Sequence, residues 1–259
     1  MALKLEIASF LYHEVTNDPK DSGFQRSSAI PYKHTTDEFA RHLDQIAKSP
    51  ITPELVHHID FARPGRHLLL TFDDGGKSAL YISDELCLRG WKGHFFIITH
   101  LIGNRTFLNQ NEIKYIRSCG HMIGSHSHTH PEIFKDQPFK KMVQEWQASC
   151  HILSQITSEP CISGSVAGGD ISAKVLRSAN VAGLRYLFTS EPWLSPRKLG
   201  ECWILGRVSP KVNTSVSRVQ GFAQFRGWSR ALMHRRWKVF VRTILFPFYR
   251  FYIRKMTNQ

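Results

Sequence analysis

Short apolar runs alternate with amphipathic segments over the first two hundred residues of this 259-residue chain, and that alternation limits the fold more than any other feature. Residues Leu5–Tyr12 read as a strand, and residues 67–72, His-Leu-Leu-Leu-Thr-Phe, form a continuous apolar stretch of the kind buried on both faces of a sheet. Similar runs fall at residues 93–99, 121–125, 161–165, 185–189 and 202–208. Helical patterns lie between them. Thr35 and Glu38 make a capping box ahead of Phe39, Leu43 and Ile46 on one face, and Asn109 and Glu112 make a second ahead of Ile113 and Ile116. Further helices are expected over residues 77–89 and 138–157, and from Ser172 to the stop at Gly183. Serial strand–helix units require a mostly parallel α/β sheet, and this many strands can curl into a barrel.

The composition shifts near residue 210, which divides the expected body, residues 1–210, from a basic, aromatic-rich extension, residues 211–259. Of 34 Lys and Arg, 12 follow Glu201, where no acidic residue occurs, so residues 1–201 hold 22 basic against 21 acidic side chains. The net charge of +13 therefore belongs to the tail. Within it Trp237, Phe240, Val241, Ile244 and Phe248 recur at helical spacing, while Arg235, Lys238 and Arg242 follow another face. That is the pattern of a helix lying in a membrane surface, and the segment from Arg226 to Lys255 is expected to bind anionic lipid. The alternative is a helix that lays its aromatic face on the barrel. The body offers no basic surface or recognition motif for nucleic acid, so none is expected as a partner. No stretch is apolar over a length that spans a bilayer. The five cysteines form no C-x-x-C pair and are odd in number, which favours a reducing compartment over a disulfide framework. The first residues lack the pattern of a signal peptide, so the expected location is cytoplasmic, peripheral at the inner face of the cell membrane.

Polar clusters follow the strands, where such folds place active sites. In Thr71-Phe72-Asp73-Asp74-Gly75, two carboxylates share a glycine turn, and burying either is costly unless it is paired or metal-bound. A solvated turn is an equal reading of that cluster taken alone. The second cluster, residues 124–131, holds His126, His128 and His130. If it forms a helical turn, His126 and His130 project to one side and His128 points away. Two imidazoles and one carboxylate suit zinc or another borderline divalent ion with a position left for water, and the second carboxylate is then a base for that water.

At these residues the chain resembles the polysaccharide deacetylases, carbohydrate esterase family 4 or the NodB-homology group. Residues 71–75 and 126–130 look like the first two motifs of that family, and residues 93–103 and 120–131 follow in its order and spacing. Tyr12-His13-Glu14-Val15 is similar to a frequent opening segment of its bacterial members. The resemblance spans roughly residues 5–210 and implies a distorted (β/α) barrel of about seven strands. It makes Asp73 the catalytic base and Asp74, His126 and His130 the ligands of one divalent metal, expected to be zinc. The implied reaction is hydrolysis of an acetamide on a sugar, a glycan or a lipid-linked intermediate of surface-polysaccharide metabolism.

The chain departs from the family pattern twice. The third motif normally carries an Arg that orients the catalytic Asp, but residues 163–170 read Ser-Gly-Ser-Val-Ala-Gly-Gly-Asp, with Ser165 in its place and Gly168 left to offer an oxyanion amide to substrate. Where the fifth motif ends Leu-x-His, this chain has Leu205-Gly206-Arg207. Arginine cannot deliver a proton at neutral pH, so Arg207 is expected to face Asp73 and stabilise charge. His13, placed at the substrate, and His128 are the candidates for a replacement acid. Glu191, near the family's Ser-Asp pair, could orient a neighbour. Two readings from other classes stay open. One is an amide-cleaving hydrolase of a small nitrogenous molecule, which would release ammonia rather than acetate. The other is a metal-binding, glycan-binding pseudoenzyme, which would hold metal without turnover. Non-haem iron oxygenases share the donor set, but the βα alternation counts against their antiparallel fold.

Overall fold

The computed structural model describes residues 4–244, with side chains described through Val241. Among the described residues ten strands are formed: β1 Leu5–Tyr12, β2 Glu14–Val15, β3 Lys33–His34, β4 Gly65–Phe72, β5 His94–Ile97, β6 Met122–Ser125, β7 Ser163–Ser165, β8 Tyr186–Phe188, β9 Arg197–Leu199 and β10 Cys202–Leu205. The α-helices are α1 Thr36–Ala47, α2 Ala79–Leu88, α3 Gln110–Ser118, α4 Phe139–Thr157, α5 Ala173–Val181, α6 Val216–Ala223 and α7 Trp228–Ile244. Local chemistry sets several of these starts. Thr35 and Asn109 each accept from the backbone N–H three residues on, the glutamates there return the bond, and Ser172 caps α5 through Val175.

The main sheet runs β1-β4-β5-β6-β7-β8-β10-β9. Seven of its strands are parallel neighbours, and β9 is an antiparallel flank on β10. The sheet curls until its ends meet: Leu11 N–H donates to the Val208 carbonyl at 2.8 Å, and Val208 N–H donates to the Ser9 carbonyl at 2.9 Å. The barrel is distorted because pairing is uneven, from eight residue pairs between β1 and β4 to the single pair Ser125 with Gly164 between β6 and β7.

Alternate residues of the strands go to two sides. Ile7, Leu69, Phe96, Phe188 and Leu205 form a cluster without an α-helical residue, which is the barrel interior. Phe10, Leu68, Leu70 and Phe72 face outward onto α1 and α2, through Phe39, Leu43, Ile82 and Leu86. Polar residues stay at the carboxyl ends of the strands, so the site forms there. Val219, Phe222 and Ala223 of α6 and Trp228 of α7 belong to the same outer core, and the Trp228 indole N–H donates to the Phe222 carbonyl at 3.1 Å. The chain past residue 210 thus continues to build the barrel's packing before α7 departs along the surface. Phe248, Arg250, Arg254 and Lys255 of the basic segment lie outside the described residues. Among the described residues no helix is long and apolar enough to cross a membrane.

Phe222→Ala removes a ring that is 4% exposed, and it is expected to lower unfolding free energy by about 3–5 kcal/mol in urea titration. A loss within experimental error would show that α6 does not share the barrel core.

Candidate active site

Adjacent carboxylates are separated by the backbone. Asp73 is still extended and its N–H donates to the Tyr12 carbonyl at 3.0 Å, but Asp74 and Gly75 take left-handed φ values of 77° and 78°. Asp is among the few residues that tolerate this region, and such strain collects at functional sites. A Cβ on Gly75 would come within 2.9 Å of Ile97 Cδ1. The turn sends the two side chains to different partners.

Asp73 meets Arg207, the side chain just past β10. The guanidinium grips the carboxylate with both ends, Nη1 to Oδ1 at 2.8 Å and Nη2 to Oδ2 at 2.9 Å. Its remaining donors go to Thr71 Oγ1 at 3.0 Å, Ser165 Oγ at 2.7 Å and the Thr189 carbonyl at 2.9 Å. All five N–H groups are therefore used, as a buried guanidinium requires. Ser165 Oγ donates in turn to Asp73 Oδ2 at 2.8 Å. Burial pushes the Asp73 carboxyl up, but Arg207, with help from His126, outweighs it and holds the group below the usual carboxylate range. The Arg absent from the third-motif position is thus supplied from the fifth-motif position, seated through the Ser at the third, whereas the proton donor of the fifth motif is not replaced by it.

Asp74, His126 and His130 each offer one ligand atom, and these atoms all lie within 4.8 Å of one another. His126 Nδ1 lies 3.0 Å from the Ser165 carbonyl, which fixes the ring so that Nε2 is 3.3 Å from Asp74 Oδ1. That is how metal-binding imidazoles are held. Burial opposes charge on both Asp74 and His126, yet their mutual attraction wins, lowering the Asp74 carboxyl and raising the His126 imidazole. Burial drives His130 the other way, down to about 4, so it is a neutral donor. The donor set fits a divalent ion of borderline softness.

His126 and His130 do not share a helical turn. Residues 126–130 are a loop after β6, and Ser127 and His130 have φ of 66° and 51°. The loop is pinned by Glu145, a 1%-exposed carboxylate on α4 that accepts from His128 N–H at 2.9 Å, Thr129 N–H at 2.7 Å and Thr129 Oγ1 at 2.8 Å. Nothing in the local sequence marks Glu145, which lies fifteen residues from His130 in an ordinary helical pattern. His128 points away from the site, with Nδ1 2.9 Å from Thr99 Oγ1, and it does not line the cavity.

The ligand triad and Asp73 open into a cavity of about 450 Å³ whose lining includes His13, Phe24, Arg26, Tyr32 and Gly168. His13 is half-buried with Nδ1 shielded from solvent and unpartnered, its ring 4.8 Å from that of Tyr32, and desolvation lowers its pKa. Gly168 has φ of 68°. Glu14 also lines the cavity, accepts from Ser22 and Ser78, and is pushed up to about 7 by burial. Within Tyr12-His13-Glu14-Val15 no local signal in the sequence marks Glu14 as a cavity residue. Glu191 orients the helix α7 through Arg235 Nε at 2.9 Å.

Because Glu145 holds the ligand loop without touching the ligand atoms, Glu145→Ala is expected to weaken metal affinity about 10–100-fold, with a smaller loss in Glu145→Gln. Metal titration of chelator-treated protein checks this, and equal affinity in all three proteins would contradict it.

Three solved structures share the architecture. The Streptococcus pyogenes deacetylase PplD in complex with acetate superposes with a TM-score of 0.71 at 16% identity, over 85% of this chain and 99% of that one. IcaB from Ammonifex degensii gives 0.69 at 18% identity, over 86% and 98%. The de-N-acetylase from Aggregatibacter actinomycetemcomitans gives 0.68 at 14%, over 84% and 99%. At these identities the likeness is one of fold. A comparison with curated proteins returns no match. Residues 62–187 match the family model described as polysaccharide deacetylase, a span that holds both aspartates and both histidines of the site. That match identifies residues 62–187 as a polysaccharide deacetylase domain, of the carbohydrate esterase family 4 or NodB-homology group, and the likeness in fold extends over most of the chain.

Proposed function

We propose that this protein is a metal-dependent hydrolase that removes N-acetyl groups from a sugar, a glycan or a lipid-linked glycan intermediate. The observation that carries the reading is the division of labour between Asp73, clamped by Arg207, and Asp74, facing two imidazoles. Asp74, His126 and His130 hold the ion, with zinc as the expected metal for this donor set. Such an ion polarises the acetamide carbonyl and acidifies water bound beside it. Asp73 takes the proton of the attacking water. Of its four lone-pair sites, three receive Arg207 and Ser165, which leaves one on Oδ1 for that proton. Arg207 keeps Asp73 ionised until then. The Gly168 backbone amide is proposed to donate to the developing oxyanion, and His13 to carry a proton to the leaving amine.

Asp73→Asn is expected to keep about one ion per chain and lose about 10²–10⁴-fold in acetate release, whereas His126→Ala loses the ion itself. Elemental analysis and acetate assays on N-acetylated sugars, oligosaccharides and lipid-linked sugars separate the two variants. Ammonia in place of acetate, or unimpaired turnover by Asp73→Asn, would overturn the reading.

We also propose that the outward face of α7 attaches the protein to an anionic membrane on its cytoplasmic side. Met233, Trp237 and Phe240 are 67%, 63% and 56% exposed along one stripe, and the chain continues into Phe246, Phe248, Arg250, Phe251 and Arg254. The free cysteines suit a reducing setting. Replacing Met233, Trp237 and Phe240 together by Ser is expected to abolish co-sedimentation with anionic vesicles; unchanged binding would refute this attachment.

A further inference from the structure

Three concavities run together beneath α7. The cavity of the ligand triad shares Ser209, Lys211, His234 and Lys238 with a second of about 220 Å³. That one shares Arg218, Phe222 and His234 with a third of about 550 Å³, which Arg226 and Arg230 also line. Among the described residues, neither the second nor the third is lined by a single Asp or Glu. The result is a basic trough that leads out of the catalytic cavity along the inner side of α7.

The cations at the junction differ in how they are neutralised. Arg235 is taken, by Glu191 at 2.9 Å and Asp170 at 3.4 Å. Lys211 and Lys238 line the junction with no ion-pair partner among the described residues. Lys211 Nζ sits 4.8 Å from the Tyr32 ring. Across the cavity the Arg26 guanidinium lies 4.3 Å over the Phe24 ring, and its Nε is buried without a hydrogen-bond partner. These three cations come from three separate segments of the chain, the loop after β2, the loop after β10 and α7, and they converge on one space. A neutral sugar would gain nothing from them. A dianion would, because charge-assisted bonds from Lys and Arg are the strongest available to phosphate oxygens; Lys211 and Lys238 stand exposed at this junction, while Glu14, Asp73, Asp74, Glu132 and Asp170 line the same cavity as the triad.

We propose that the acetamido sugar taken by this site carries a phosphate or diphosphate ester, bound by Lys211, Lys238 and Arg26, with the trough receiving the group esterified beyond it. The inference rests on the deacetylase reading and names the substrate class for it. The amide bond is hydrolysed at the triad while the phosphate ester remains intact, so acetate is the small product and the phosphoryl group serves only for recognition.

The test compares the metal-loaded full chain on neutral methyl N-acetylglucosaminide, N-acetylglucosamine 1-phosphate, UDP-N-acetylglucosamine and a polyprenyl diphosphate N-acetylglucosamine. The phosphorylated compounds are expected to exceed the neutral one in kcat/KM by at least about tenfold, an advantage that shrinks with added salt. A preference for the nucleotide or for the lipid identifies the source of the ester. In the double variant Lys211→Gln, Lys238→Gln, the ratio of phosphorylated to neutral kcat/KM is expected to collapse toward one, with metal content and melting temperature as controls for folding. If the neutral sugar is used as well as its phosphate at low salt, the inference fails and the deacetylase reading survives. If no compound releases acetate, the deacetylase reading fails, and calorimetric binding to the metal-free chain decides the inference. There, salt-dependent affinity for N-acetylglucosamine 1-phosphate over N-acetylglucosamine supports it, and equal affinity overturns it.

Discussion

The grip of Arg207 on Asp73 is the contact around which the site is arranged. Neither charge could stay buried alone, since removing one partner of such a pair costs about 3–5 kcal/mol. The guanidinium draws on β4 through Thr71, on β7 through Ser165 and on the loop after β8 through Thr189. It also sits one residue before Val208, whose backbone closes the barrel against β1. The partner of Asp73 and the backbone contact that closes the barrel therefore sit on adjacent residues, 207 and 208. The His126 ring is fixed by the carbonyl of the same Ser165, so the orientation of a candidate metal ligand depends on the strand that seats the ion pair.

A second constraint is backbone strain at the ligands. Asp74 and His130 both have left-handed φ, conformations that non-glycine residues hold only when their surroundings enforce them. For Asp74 the enforcement is a tight glycine turn beneath Ile97. For the histidine loop it is Glu145, whose two oxygens absorb three donors from residues 128 and 129. The ligand atoms are thereby brought within 4.8 Å without any hydrogen bond made by the loop to itself as a helix.

Helix α7 has two separate uses for its two faces. Arg235 is drawn inward by Glu191 and Asp170, which ties that face of the helix to the barrel. His234 and Lys238 then fall along the cavity, and Met233, Trp237 and Phe240 fall outside. Arg235 and Lys238 line the cavity that holds Asp74, His126 and His130, and Met233, Trp237 and Phe240 stay exposed rather than packed on the barrel.

The sequence by itself determined the serial strands and helices, both capping boxes and the parallel barrel, and it marked Asp73, Asp74, His126 and His130 as candidates for one site, a grouping whose ligand atoms the structure brings together for Asp74, His126 and His130. These are local signals, carried by periodicity, by capping side chains or by residues within a few positions of each other. It also singled out Arg207, because a missing residue type at a known place is visible in one dimension. Only the tertiary structure decided that Ser165 bridges that Arg to Asp73, that Glu145 holds the histidine loop, that Glu14 is buried at the cavity wall and that α7 turns its basic side to the site. Each of those depends on groups far apart in the chain meeting across the barrel mouth. Amphipathic spacing tells which residues share a face, but that face is tied to the barrel by an ion pair with a distant loop, and no local pattern encodes it.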